Sequence, residues 1–241
     1  MYEEFASIYD RLTVDVDYAG LADYYEAVFR RFDVKPELVL DLGCGTGSLT
    51  AELQKRGYDM IGADNSAEML MEAQKKTDAL FLLQSMTEFE LYGTVGAIIS
   101  SLDSVNYLTK TEDVEKMLAL VKNYLDPGGL FIFDINTRYK LKHVLGENTY
   151  VVNDENVFYS WESEYHEDTK LCDFYLTFFV RTGKNSFRRI DELQTERAYA
   201  VKELLFLIKK AGLSVEGVFG NRSFCRPKEK EERVFFVVRK K

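Results

Sequence analysis

Three glycines, Gly43, Gly45 and Gly47, follow directly on the apolar run Leu38–Leu42 in the stretch "LVLDLGCGTGSLT". A strand that ends in a glycine-rich turn and then opens a helix sets bare backbone at the carboxyl edge of a doubly wound sheet, where ligands bind. Roughly twenty residues further on, "MIGADNSAEML" supplies Asp64 at the end of a second apolar run. A carboxylate there has two acceptor oxygens for the two hydroxyls of a ribose, each bond strengthened by charge. Glycine loop and acid together predict a ligand with an unphosphorylated ribose. The spacing is G-x-G-x-G, and Ser48 stands where the dinucleotide fingerprint requires glycine or alanine, which weakens an NAD-dependent oxidoreductase reading. A turn that binds nothing is the bland alternative, but three glycines carry an entropy cost that a simple turn does not need.

Other reactive side chains give less. Cys44, Cys172 and Cys225 are far apart, without metal or redox spacing, so no metal is expected and a reducing, cytoplasmic setting fits. Cys44 reads as a small buried loop residue and not as a nucleophile. His143 and His166 are the only histidines, and neither sits in a matched motif.

The elements that must position the glycines and Asp64 are legible from periodicity. Short β-branched runs at 37–42, 58–63, 79–84, 95–100 and 129–135 alternate with helical patterns at about 47–56, 66–76 and 111–125, which is the signature of βαβ units and a parallel sheet. Two more helices are expected before the first strand, at 2–12 and 17–32. Ser66 caps a helix whose apolar face carries Met69, Leu70 and Ala73, and "DPGG" at 126–129 reads as a stop and a turn. From 137 to 197 the period changes to two. Val157, Tyr159, Trp161 and Tyr165 share one face, as do Phe174, Leu176, Phe178 and Val180, so this stretch is read as an antiparallel β insertion, with Trp161 in its core. A helix at 201–211 and strands at 213–219 and 233–239 then resume the first pattern. The expected organisation is a core of 1–136 and 198–241 interrupted by 137–197.

Composition bounds the partners. The 241 residues are 46% hydrophobic, enough for one large core, and contain no apolar run long enough to span a membrane. The opening "MYEEFASIYDRL" is acidic and amphipathic where a signal peptide is basic and then apolar. With 31 basic against 40 acidic residues, the net charge of -9 gives no electrostatic footprint for nucleic acid.

"VLDLGCGTG" followed by "GADNSAEML" resembles the first two motifs of class I S-adenosylmethionine-dependent methyltransferases. "LDPGGLFIFDIN" resembles the family's fifth strand and the turn before it, and "ERVFFVVRK" after "AGLSVEGVFG" its final hairpin, so the likeness spans most of the chain. "SLDSVNYL", "FIFDINTRYK" and "RRIDELQTERAY" are similar to a subgroup of small stand-alone bacterial methyltransferases of mostly unassigned substrate. The resemblance implies a seven-stranded, mostly parallel, doubly wound α/β sheet with an antiparallel last strand, plus the β insertion after the fifth strand. It implies S-adenosylmethionine as cofactor and S-adenosylhomocysteine as product. By the same likeness Asp41, Gly43, Cys44, Gly45 and Gly47 surround the methionine part, Asp64 takes the ribose, and Asn65 and Met69 flank the adenine. Ser85 stands where the family has an acid near the adenine amino group, with Met86 beside it. Leu102 and Asp103 lie at the sulfonium end, and Tyr9 closes the site from the amino-terminal helix.

The implied chemistry is an in-line displacement in which N, O or, less readily, C of a substrate takes the methyl group, so alignment matters more than a covalent nucleophile. Substrate-side candidates are Asp103, Asn106 and Tyr107 after the fourth strand, Asn136 after the fifth, and Arg189 and Arg197 in "RRIDELQTER", for which an ion-paired sheet face is an equal reading. Three functions stay open: a methyltransferase for a small or moderate substrate, one for RNA or protein, and a non-catalytic protein that keeps the cofactor pocket.

Overall fold

Apolar residues on both faces of the buried strands dictate a sheet covered by helices on each side. The computed structural model describes Ala6, Tyr9, Asp10, 15–153 and 155–241. Its main sheet has seven strands: β1 (Leu38–Leu42), β2 (Asp59–Asp64), β3 (Leu80–Leu83), β4 (Val95–Ser100), β5 (Leu125–Asn136), β10 (Ser214–Gly220) and β11 (Arg233–Arg239). Their order is β3-β2-β1-β4-β5-β11-β10. β1 to β5 pair in parallel, and β11 runs antiparallel to both β5 and β10.

Among the residues from 15 onward that are described, five α-helices flank the sheet: α1 (Tyr18–Arg31), α2 (Ser48–Lys55), α3 (Ala67–Ala73), α4 (Thr111–Tyr124) and α5 (Val201–Lys210). Alternation along β5 divides the core. Phe131, Phe133 and Ile135 face Met117, Val121 and Leu207 of α4 and α5. Leu130 and Ile132 share the other core with Tyr25, Val28 and Leu53 of α1 and α2. Each large side chain removed from water here contributes about 1.5–3 kcal/mol before conformational entropy is charged against it.

A second, antiparallel sheet holds β6 (Thr149–Asn153), β7 (Val157–His166), β8 (Leu171–Arg181) and β9 (Phe187–Arg197) in chain order. Its inner face, with Val157, Leu176, Phe178 and Ile190, packs on Ala6 and on Met69 of α3. Trp161 lies edge-on to Phe174 at 5.5 Å and belongs to this packing.

Three expectations are corrected. The stretch from 137 does not begin as β structure: Lys140–Leu145 is a π-helical turn, because Leu141 and Leu145 are buried together against Cys172 and Phe174. β5 starts at Leu125, before the "DPGG" turn. Leu125 pairs with Val95, the chain bows out through Gly128 (φ +82°), and pairing resumes at Leu130 with Ala97. α3 ends at Ala73, short of the expected 76. The helix expected at 2–12 is met only at Ala6, Tyr9 and Asp10, which are helical; Phe5, Ile8 and Leu12 of its apolar face lie outside the described residues.

Candidate active site

The strand order reverses between β1 and β4, so the loops after their carboxyl ends turn to opposite faces and leave a crevice. A cleft of about 520 Å³ opens there, within the ~300–1,000 Å³ range of small-molecule sites.

The glycine loop is its floor. Gly43, Gly45 and Gly47 all have positive φ, at +79°, +54° and +68°, a conformation that costs other residues about 1–2 kcal/mol each. Their uses differ. A Cβ on Gly43 would stand 2.5 Å from the Met86 side chain, so the bare backbone lets Met86 lie across the loop. Gly45 has nothing within 4 Å of that position and faces the cleft. Gly47 ends the turn as the residue before α2, and its missing Cβ makes room for Ala73 of α3 at 2.7 Å. Gly47 therefore packs loop on helix and does not line the cleft.

Asp64, at the end of β2, is locked to this loop. Its Oδ2 accepts from the Gly45 amide at 2.8 Å and its Oδ1 from the Ser66 amide at 2.9 Å. Each oxygen keeps a lone pair for a ligand hydroxyl. Burial raises its pKa, against the amide bonds, which hold it down. The next helix begins at Ser66, whose Oγ accepts from the Met69 amide at 3.2 Å, so α3 starts on a capped turn that carries Asn65 and Met69 into the cleft.

Asp41, on β1, is fully buried and accepts from the Thr50 hydroxyl at 2.6 Å; burial first, and then Asp64, push its carboxyl up to about 7. Burial likewise raises the Cys44 thiol, with Asp41 and Asp64 adding to the shift, which keeps it protonated and unreactive. Ser85 and Met86 follow β3 on the adjoining wall, where the Ser85 hydroxyl lies 2.9 Å from that of Thr87.

At the far end, Leu102 and Asp103 follow β4 with φ of +55° and +60°. Both amides donate to the carboxylate of Asp134 on β5, at 2.9 and 3.0 Å. Arg233 of β11 bridges the Asp134 and Asp103 carboxylates.

Of the substrate-side candidates, Asp103 and Tyr107 line the cleft. Asn106 and Asn136 lie outside it and are built into the frame: the Asn106 amide group donates to the carbonyls of Asn136 and Arg197, and its oxygen accepts from the Asn136 amide. Arg197 is likewise structural, donating to Thr109 and Thr111 and pairing with Glu203. Arg189 is exposed on β9 and pairs with Asp191 at 2.8 Å. The ion-paired reading thus describes both arginines. In their place β9 presents Leu193, Gln194 and Thr195 to the cleft, and the Tyr107 hydroxyl donates to Gln194 Oε1 at 3.0 Å across it. Reading by residue type missed these three, because neither an amide nor a leucine advertises a site. His166 pairs with Asp173, and His143 lies beside Tyr139; neither lines the cleft.

Tyr9 lines the cleft from above, and the residue beside it ties this segment down. Asp10 accepts from the Thr46 hydroxyl at 2.6 Å and pairs with Lys76 at 2.6 Å. Among the described lining residues Asp41, Asp64, Glu68 and Asp103 are acidic and none is Lys, Arg or His.

Residues 39–129 match the family model described as "Methyltransferase domain". A methyltransferase-family protein of Geobacillus sp. (strain WCH70) is 31% identical over 99% of both chains. A crystal structure of an S-adenosylmethionine-dependent methyltransferase from Clostridium acetobutylicum ATCC 824 superposes with a TM-score of 0.89 at 34% identity, covering 99% of this chain and 98% of that one. A dTDP-3-amino-3,4,6-trideoxy-alpha-D-glucopyranose N,N-dimethyltransferase of Streptomyces venezuelae is 31% identical over 56% of this chain and 58% of its own. The chain belongs to the class I S-adenosylmethionine-dependent methyltransferases and is an enzyme.

Proposed function

We propose that the enzyme methylates a nitrogen, or less readily an oxygen, of a small acceptor that carries no phosphate near the reacting atom. The acidic lining of the cleft, with no Lys, Arg or His among its described residues, carries this reading. S-adenosylmethionine brings a sulfonium and an ammonium, and an amine acceptor is itself cationic before it loses its proton; all three suit carboxylate walls. Phosphate-rich acceptors such as RNA do not. The relationship to an amino-sugar N,N-dimethyltransferase supports nitrogen as the target.

The cleft residues fit the cofactor. Bare backbone at Gly43 and Gly45, the two acceptor oxygens of Asp64 and the apolar Met69 and Met86 match a methionyl chain, a ribose and an adenine in turn, with Leu102 at the sulfonium end. The bound cofactor supplies a methyl group already activated by its sulfonium. The protein's task is alignment, which on its own lowers a barrier by about 7–11 kcal/mol when geometry is near attack. Asp64 fixes the sugar, Asp41 and Asp103 hold cationic groups, and Tyr9 with Tyr107 keeps water from the methyl end. In this reading residues 137–197 wall the acceptor side, while 1–136 and 198–241 hold the cofactor. The unpaired cysteines support a cytoplasmic enzyme.

Radiolabelled methyl transfer into fractionated small molecules, RNA and protein from the source cell tests the proposal. Label in the small-molecule fraction supports it; label confined to RNA or protein overturns it.

A further inference from the structure

The cleft's far wall is held by a buried charged unit. Leu102 and Asp103 both adopt left-handed backbone, which costs a non-glycine residue about 1–3 kcal/mol and persists only where surroundings over-determine it. Two consecutive residues are held there, and the surroundings responsible are identifiable. Asp134 is completely buried on β5. Its Oδ1 accepts from the Leu102 amide and its Oδ2 from the Asp103 amide. A buried carboxylate left without these amides would itself be destabilised, so the strand and the turn depend on each other.

Arg233 completes the unit from β11. Its two terminal nitrogens reach different carboxylates, one to Asp134 and one to Asp103. Burial opposes its charge, but Asp134 and Asp103 outweigh that and raise its pKa, so it stays a cation. Asp103 is thereby clamped on both sides: its amide by Asp134 and its carboxylate by Arg233. Asp103 also starts the 3-10 turn Ser104–Tyr107, which carries Tyr107 to the cleft. Strands β4, β5 and β11 thus jointly fix one corner of the site, across 130 residues of sequence in the case of Arg233 and Asp103.

We infer that Asp134 and Arg233 are positioning residues for methyl transfer, holding the Leu102–Asp103 turn and the Asp103 carboxylate in place so that the methionyl end of the cofactor meets a preformed wall. The inference rests on the cofactor reading above. It separates the two ends of the ligand: in that reading the adenosyl end lies on Asp64, Asn65, Met69 and Met86, whereas the amino-acid end faces Asp103.

Calorimetric titration with S-adenosylhomocysteine and with 5′-methylthioadenosine, which lacks the amino-acid end, tests it on the full chain and on Asp134→Asn, Arg233→Met and Arg233→Lys. Asp134→Asn turns one acceptor into a donor that opposes the Asp103 amide; Arg233→Met keeps the bulk and removes both ion pairs. Each is expected to weaken S-adenosylhomocysteine by about tenfold, the size of one lost charge-assisted contact, while methylthioadenosine changes by less than about twofold. Arg233→Lys keeps the charge and should recover part of the loss. Equal weakening of both ligands, or no weakening of either in a folded variant, overturns the inference. If Asp134→Asn does not fold, the two Arg233 variants decide by the same comparison. A full chain that binds neither ligand would overturn the cofactor reading and this inference with it.

Discussion

The carboxylate of Asp64 accepts the amide of Gly45 at 2.8 Å, joining the end of β2 to the turn after β1. One residue thus shapes the glycine loop and, in the proposed function, also presents acceptors for the ribose. Substitution by Ala would remove both, so the test of the ribose role is Asp64→Asn, which keeps the shape and one acceptor oxygen, loses the charge and turns the other acceptor into a donor.

The three loop glycines should respond unequally. Gly47→Ala forces a Cβ against Ala73 in left-handed backbone, and is expected to cost about 2–4 kcal/mol of stability. Gly45→Ala meets no protein atom and should cost only about 1–2 kcal/mol from its backbone, yet its methyl enters the cleft and weakens S-adenosylhomocysteine. Melting temperature and calorimetry on the pair check this; equal effects on both readouts would contradict it.

Asp41 should make both stability and ligand binding depend on pH. Its carboxyl is raised from 3.8 to about 7 in the folded chain. The stability it contributes is therefore present in full below about pH 4 and lost as pH rises to about 7. Binding moves the other way, because the ligand's ammonium pairs with the ionised form: affinity for S-adenosylhomocysteine should fall as pH drops below about 7. The groups facing Asp41 are Thr50, Asp64 and Cys44. Asp41→Asn should flatten both profiles, and unchanged slopes in that variant would refute the assignment.

The glycine loop was legible in the sequence because positive φ restricts residue type, and the second sheet because the period-two faces of β7 and β8 are strongly apolar. The acceptor side was not. Arg189 and Arg197 looked functional by charge, yet the register of β9 sends them to ion pairs and leaves Gln194 at the cleft. The contact of Asp103 with Arg233 is a product of strand order, since β11 is placed beside β5 only by the topology. No local pattern encodes it.

Gln194 is expected to serve the acceptor and not the cofactor. It reaches the cleft from the second sheet, held by the Tyr107 hydroxyl. Once an acceptor is found, Gln194→Ala should raise its KM about tenfold, the cost of one lost polar contact in a buried site, with S-adenosylhomocysteine affinity unchanged. A parallel loss of cofactor affinity would place Gln194 elsewhere in the mechanism.

The amino-terminal segment should tighten when the cofactor binds. Tyr9 lines the cleft, and beside it Asp10 is tied to Thr46 of the glycine loop and to Lys76. Burial, with Tyr18 and Asp103, raises the Tyr9 pKa, so it is a neutral hydroxyl at physiological pH. Hydrogen exchange of residues 2–12 should slow on adding S-adenosylmethionine. Equal protection with and without it would reject a closing role, and a Tyr9→Phe variant with unaltered affinity and turnover would reject a part for the hydroxyl.

The central claim is that the glycine loop and Asp64 form the cofactor site, and calorimetric titration of S-adenosylhomocysteine into the full chain and into Asp64→Asn tests it most directly. The account predicts one ligand per chain, weakened in the variant by about 1.5–3 kcal/mol, the worth of hydrogen bonds to a charged acceptor. No binding to the full chain, or equal affinity in a folded Asp64→Asn, would contradict it.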